Sequence, residues 1–389
     1  MPQLSYRTAG ESHGAALTVL IEGLPGGLEL DLDLINAEMR RRQGGYGRGG
    51  RMKIEQDHVE VLSGVRCGRT IGSPLVLQIP NRDHRIDEAP EVNRPRPGHA
   101  DLAGSIKWLS TDCRETLERA SARETAARVA AGATARCLLR EFGVEAVGFV
   151  AEIGAVRATV SDDATADELR QARDANEAYA PDANAADGMI AAIRQAKKDK
   201  DTLGGIVEVR VFGVPIGIGS CLAWDLKLDG RLLQAVGSIQ AFKGAEIGLG
   251  FAAARLPGSE VHDAIYFDAD QRMSPNFGFT RKTNRAGGLE GGMSNGMPIV
   301  VRGAMKPIST LLRGMDSVNL KTLAPERSDY ERSDVCAVPA ASVVAENVVA
   351  FEIARAWMEK FGGDTLDGVR ASYEHYRSAV MNLAKAGGG

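Results

Sequence analysis

Two segments with a helical repeat of apolar residues, 122–142 and 338–361, constrain this fold more than any other feature. In the first, Val129, Ala133, Cys137 and Leu138 recur at helical spacing, and Gly143 supplies the stop. The second is long and apolar and is closed by Gly362-Gly363. Strand-like runs at 17–22, 59–62, 74–79, 144–153, 206–212 and 297–301 lie around and between them. A helix capped by Asp31 or Asp33 is expected through Arg42, with Leu34, Ile35 and Met39 on one face. Another is expected over 226–242. Residues 162–200 read as two polar helices around Pro181, outside the main core, and 387–389 as a flexible glycine tail. Glu22-Gly23-Leu24-Pro25 before one helix is echoed by Phe212-Gly213-Val214-Pro215 before another, consistent with a duplicated strand–helix unit.

At 389 residues the chain can bury a large core, and no linker divides it. The net charge of −4 gives no global attraction to nucleic acid. The basic residues are clustered: Arg40, Arg41, Arg42, Arg48, Arg51 and Lys53 in one group, and Arg82, Arg85, Arg94 and Arg96 in another. Such local clusters in a slightly acidic chain fit a small anionic substrate better than a polyanion. Cys67, Cys113, Cys137, Cys221 and Cys336 form no C-x-x-C pair and read as reduced thiols of a cytoplasmic protein. No signal peptide and no run of membrane-spanning length is visible. The histidines show no metal-binding spacing, so no metal is expected.

The chemistry concentrates in glycine-flanked loops. Gly10-Glu11-Ser12-His13-Gly14 and Arg96-Pro97-Gly98-His99-Ala100-Asp101 each hold a histidine, the side chain suited to proton transfer near neutral pH. The other four histidines, His58, His84, His262 and His375, lack such context. The loop from Arg40 to Arg51 offers guanidinium groups and backbone N–H groups to an anion, or is simply a solvated helix end. It is neither a P-loop nor a dinucleotide fingerprint. Ser121, between Arg119 and Arg123, is an N-cap with Glu124 as its capping-box partner, or part of a phosphate site. The glycine-rich run 287–296 precedes Lys306-Pro307-Ile308-Ser309-Thr310, a cation and two hydroxyls suited to gripping phosphate. Asp334, just before the long C-terminal helix, reads as a cap or as a catalytic carboxylate.

Taken together these motifs resemble chorismate synthase along nearly the whole chain. They include GESHGAALTVLIEGLP (10–25), RRQGGYGRGGRM (41–52), RPGHADLAG (96–104), ERASARETAARVAAGA (118–133), QAFKGAEIG (240–248), NRAGGLEGGMSNG (284–296), KPIST (306–310) and RSDVCAVPA (332–340). The resemblance implies a single large β-α-β sandwich with internal pseudo-symmetry, assembled as a homotetramer. It implies anti-1,4 elimination of phosphate from 5-enolpyruvylshikimate-3-phosphate, dependent on reduced FMN without net redox change. By resemblance His13 is the general acid at the leaving phosphate, His99 stands beside the flavin, and Asp334 serves proton transfer near flavin N5. Ser12 and Ser121 match hydroxyls of a proton relay or of substrate binding. Arg119, Ala120, Ser121, Gln240, Ala241, Gly291, Lys306, Pro307, Ile308, Ser309, Thr310 and Arg332 match flavin contacts. Arg42, Arg48, Arg123 and Arg332 match anion-binding arginines, the first two also NADPH positions. With no nicotinamide fingerprint in the sequence, an external flavin reductase is expected to supply FMNH2, with NADPH an indirect reductant. An FMN-binding reductase with an unidentified acceptor is the alternative.

Overall fold

Two antiparallel strands, β1 (Ser5–Ala9) and β2 (Ala16–Glu22), open the chain and meet across the glycine-bounded turn that holds Ser12 and His13. The structure, a computed structural model, describes residues 3–49, 55–328 and 333–386. Helix α1 (Leu32–Gln43) follows, with the Asp31 carboxylate accepting from the Leu34 N–H at 2.9 Å. Strands β3 (Glu60–Ser63) and β4 (Leu75–Pro80) complete an antiparallel sheet of order β1-β2-β4-β3. Its registry pairs Leu17 with Ile79, Val19 with Leu77 and Ile21 with Leu75, all six buried. The period-two alternation thus gives one wholly apolar face. Helices α2 (Asp101–Trp108), α3 (Arg114–Ala120) and α4 (Thr125–Arg140) come next.

The second half repeats this plan. Strand β5 (Glu145–Ile153), helices α5 (Ala166–Asp174) and α6 (Ala183–Lys198), strand β6 (Gly205–Phe212) and helix α7 (Leu228–Gly237) lead to β7 (Phe242–Ile247) and β8 (Ile299–Met305). Helix α8 (Val338–Phe361) then occupies the place that α4 has in the first half, and α9 (Leu366–Ala386) ends the described chain. The second sheet runs β5-β6-β8-β7, the same first-second-fourth-third order, with the short strand Val156–Arg157 beside β5. Gly23 and Gly213, the glycines of the sequence echo, follow the second strand of each half at φ +81° and +79°. Only glycine enters that region without strain.

Helices α4 and α8 pack on each other between the sheets, α4 against β2 and β4, α8 against β5 and β6. Their crossing is tight: a Cβ on Gly132 would lie 2.2 Å from the Asn347 carbonyl oxygen. One continuous cluster of buried apolar residues runs through both sheets and this layer. Within it Glu346 of α8 is ringed by Arg41, Arg136 and Arg173, whose guanidiniums hold its carboxyl down to about 2 against the opposing effect of burial.

Several boundaries differ from expectation. The helix expected over 226–242 stops at Gly237, because Ala241 turns the chain at φ +69° and its carbonyl accepts the Lys306 N–H at 3.0 Å. The strand expected to end at 301 continues to Met305 by pairing with β6 as far as Gly205. Segment 162–200 forms its two helices but does not lie outside the main core. Ala185, Ala186, Met189 and Ile193 of α6 belong to the main cluster, and Leu169 of α5 packs on Val147 and Phe149 of β5. Residues 387–389 lie outside the described residues.

Candidate active site

His13 is held by the last turn of α3. Its Nδ1 lies 2.9 and 3.0 Å from the two Glu118 carboxylate oxygens, and its backbone N–H donates to Glu118 Oε2 at 2.8 Å. Ser12 donates its backbone N–H to the Glu118 carbonyl at 3.1 Å and its hydroxyl to Ser121 Oγ at 3.1 Å. On its other side His13 Nε2 faces Asp83 Oδ2 at 3.9 Å. Glu118 is fully buried, which would raise its pKa, yet His13 and Arg114 hold it below the usual range. Arg119, at the mouth, donates to the Gly10 and Thr8 carbonyls, each at 3.0 Å. Ala120, beside it, is half-buried at the end of α3.

Beneath the turn lies a buried ion cluster. Arg42 Nη2 donates to Asp57 Oδ2 at 2.6 Å, and Arg123 Nη1 donates to both Asp57 oxygens at 2.6 and 2.7 Å. Arg123 Nε reaches Asn81 Oδ1 at 2.9 Å, and the Asn81 amide returns to the Gly14 carbonyl at 2.7 Å, tying the cluster to the His13 turn. Burial lowers Arg42 to about 10 despite Asp57, with Arg123 and Arg48 adding like charge. Arg42 and Arg123 are therefore not open hooks in the free protein; Asp57 engages both. Arg48 is half-buried, and its Nη1 donates to Asp334 Oδ2 at 2.6 Å, while Asp334 Oδ1 accepts the Gly49 N–H at 2.6 Å. Asp334 thus clamps the glycine loop and does not cap α8, which starts four residues later.

His99 repeats the pattern of His13. Its Nδ1 hydrogen-bonds Asp101, a fully buried carboxylate that also accepts from Arg96 Nε at 2.8 Å and Nη2 at 3.0 Å. Despite that burial, His99 and Arg96 hold the Asp101 carboxyl well below its ordinary value. Arg96 Nη1 extends to Thr310 Oγ1 at 3.2 Å, and Ser333 donates to the Thr310 carbonyl at 3.1 Å. The Ile308 carbonyl accepts from Thr202 at 2.7 Å. A Cβ on Gly98 would lie 3.7 Å from Ser309 Cβ and 3.8 Å from Lys306 Nζ, so the His99 loop rests on the 306–310 segment, Pro307 included. Among the described residues Lys306 reaches the Pro307 carbonyl, at 3.4 Å, and no carboxylate; burial and the nearby Lys243 lower its pKa. Gln240 donates to Glu124 at 2.9 Å, while its buried Oε1 has no partner among the described residues. The two lysines suit an anionic group of a ligand, and the free Gln240 oxygen suits an N–H or O–H donor of it.

The hydrogen bonds and contacts above gather His13, Ser12, Ser121, Arg42, Arg119 and Arg123 on one side, and His99 and 306–310 on the other; Arg48 and Asp334 stand between, near Arg42 and next to Ser333, which bonds Thr310. Gln240 and Ala241 join the two sides: Gln240 shares Glu124 with Thr8, a partner of Arg119, and Ala241 bonds Lys306. Gly291 stands apart at φ +61° in the turn between Leu289–Glu290 and Met293–Ser294, and its neighbour Gly292 packs on Ser220 and Lys227. Arg332 lies outside the described residues. Ser121 does cap a short helical turn, accepting the Arg123 N–H at 3.2 Å. The capping box expected with Glu124 is absent, because that carboxylate takes Thr8, Gln240 and Arg128. Sequence reasoning missed Glu118, Asp101, Asp57 and Asn81. Asp101, two residues after His99 at a helix start, carried the one readable signal.

Residues 4–358 match the family model described as chorismate synthase. A chorismate synthase of Desulforamulus reducens is 52% identical, covering 98% of this chain and 100% of its own. One from Geobacter sulfurreducens is 54% identical, covering 97% and 99%. A crystal structure of a chorismate synthase superposes with a TM-score of 0.79 at 41% identity, covering 98% of this chain and 99% of the other. The chain belongs to the chorismate synthase family, lyases that eliminate phosphate from 5-enolpyruvylshikimate-3-phosphate to give chorismate.

Proposed function

We propose that His13 and His99 are the proton-handling groups of this elimination. The observation that carries the reading is their matched setting. Each ring is partly exposed, and each has Nδ1 fixed on a buried carboxylate that an arginine backs. His13 serves as general acid toward the departing phosphate, with the Ser12–Ser121 hydroxyl pair beside it as a relay. His99 and Asp334 handle protons on the side of the 306–310 segment. Asp57 holds Arg42 and Arg123 together as a rigid floor, and Arg48, within the glycine loop, is held by Asp334.

The family requires reduced FMN. Lys306 with its neighbour Lys243 fits a flavin phosphate, while the Gln240 Oε1 fits an N–H donor of the flat ring and the Gly98 opening its edge. Lys306–Thr310, Gln240, Ala241 and the Arg119–Ser121 turn would hold it, with Gly291 and Arg332 as further contacts. When bound, reduced FMN supplies electron density transiently and accepts the C6 hydrogen, chemistry beyond any side chain. The chain depends on externally reduced FMN, with NADPH acting only through a reductase, and works as a cytoplasmic homotetramer. The five free thiols fit a reducing compartment. FMN-dependent turnover in air on NADPH alone would remove the need for a reductase.

The test is anaerobic: purified protein, photoreduced FMN and enolpyruvylshikimate phosphate, followed by chorismate absorbance and phosphate release. One phosphate per chorismate without net flavin oxidation is expected. His13→Ala and His99→Ala should each slow turnover about 10²–10⁴-fold. A near-normal rate in either variant removes that histidine from the mechanism.

A further inference from the structure

We infer that Glu118 and Asp101 are positioning residues that lock one proton of each catalytic histidine on Nδ1, leaving Nε2 as the atom that exchanges protons with the ligand. The inference deepens the reading of His13 and His99 above and rests on it. Ionised carboxylates only accept hydrogen bonds, so a ring nitrogen that meets one must be the donor. His13 Nδ1 meets both oxygens of Glu118, and His99 Nδ1 meets Asp101. Once Nδ1–H is committed, the neutral ring carries its lone pair on Nε2, and the imidazolium gives up its Nε2 proton.

Both carboxylates are built for this task. Each has a side chain removed from solvent. Glu118 ties down the Ser12–His13 segment: its backbone carbonyl accepts the Ser12 N–H, and its carboxylate accepts the His13 N–H and the ring. Arg114 Nη1 stands 3.5 Å behind its Oε1. Asp101 folds the His99 loop in the same way, accepting the Arg96 backbone N–H at 3.1 Å and two nitrogens of its guanidinium. The other charged groups facing the rings are Asp83, 3.9 Å from His13 Nε2, and Arg96, whose Nη2 lies 2.9 Å from His99 Nδ1; Lys306 lies across Gly98 from the His99 loop. Arg96 Nη2 has Asp101 Oδ1 as its own acceptor at 3.0 Å, and a carboxylate can only accept, so the ring Nδ1 donates to Asp101. The two histidines come from unrelated stretches of sequence, yet both are served by an arginine-backed carboxylate on an adjoining helix.

The first experiment reads the wild-type full chain, without flavin, by long-range 1H–15N spectroscopy of histidine-labelled protein. His13→Gln and His99→Gln spectra assign the two rings. Nδ1 is expected to stay protonated across the titration of each ring, while Nε2 alone changes from protonated to lone-pair character. A neutral ring protonated on Nε2 overturns the inference for that histidine. The second experiment is kinetic. Glu118→Gln and Asp101→Asn should lower kcat about 10²–10⁴-fold, because an amide can present its NH2 and reverse the tautomer. KM for enolpyruvylshikimate phosphate should stay unchanged, whereas a merely structural loss would raise KM and lower kcat together. If Glu118→Gln keeps wild-type kcat while His13→Ala is slow, this inference falls and the role of His13 stands. If His13→Ala itself is fast, the underlying reading falls first. Should the carboxylate variants fail to fold, the wild-type spectra decide.

Discussion

Asp57 is the side chain on which the buried charges of Arg42 and Arg123 depend. Among the described residues it accepts close hydrogen bonds from both, with Glu55 more distant at 3.7 Å from Arg123. Burial would raise its pKa, and the two guanidiniums lower it instead. Removing one partner of a buried ion pair leaves the other charge without compensation, which is worse than never having built the pair. Asp57→Ala is therefore expected to destabilise the fold by about 3–5 kcal/mol, read as a lower urea midpoint. An effect below about 1 kcal/mol, the range of exposed pairs, would show that water reaches both arginines. At this scale the sequence was only partly legible. His13 and His99 stand out because glycines and arginines flank them. Asp57 and Glu118 carry no local mark; the contacts that give them meaning are made across 66 and 105 positions of chain.

Among the elements, the crossing of α4 and α8 is the sharpest constraint. Alanine in place of Gly132 would gain about 1 kcal/mol of helix propensity. Its Cβ would stand 2.2 Å from the Asn347 carbonyl oxygen, a backbone atom that cannot move without displacing α8. Overpacking of this kind costs about 1–3 kcal/mol or more, so Gly132→Ala should lose stability on balance. Thermal melting checks the sign, and a gain would mean that the two helices separate easily. Both helices were readable from sequence because their apolar periodicity is long. The unforeseen elements were those with weak or short patterns. Strand β1 has only five residues, α2 exposes Leu102 and Ile106, and α3 is seven residues of mostly charged sequence. The overextended helix at 226–242 fails for a different reason. Its apolar pattern continues, but a tertiary contact of Ala241 with Lys306 decides where the chain turns.

Across the described residues, five buried carboxylates respond to acid in the same direction. Asp57, Asp101, Glu118, Glu124 and Glu346 are all held below their ordinary values of 3.8 for Asp and 4.5 for Glu. A carboxyl with a lowered folded-state pKa stabilises the fold fully above its unfolded-state value, and that stabilisation disappears as pH falls through the folded-state value. Unfolding free energy should hold up above about pH 4.5 and decline steeply below about pH 4. Asp101→Asn should flatten that acid limb, a difference that urea titrations at several pH values would resolve. The repeated plan of the two halves carries a separate consequence. The turn between the first two strands of the opening half is six residues long and bears Ser12 and His13; its counterpart between β5 and β6 is the stretch that contains α5 and α6. The later copy has no histidine in that stretch, where the earlier one carries His13; Lys306 and Asp334, proposed for the same site, come from its far end. What looks like two equivalent units is therefore one workplace with divided labour, and equilibrium dialysis should find a single flavin for every polypeptide.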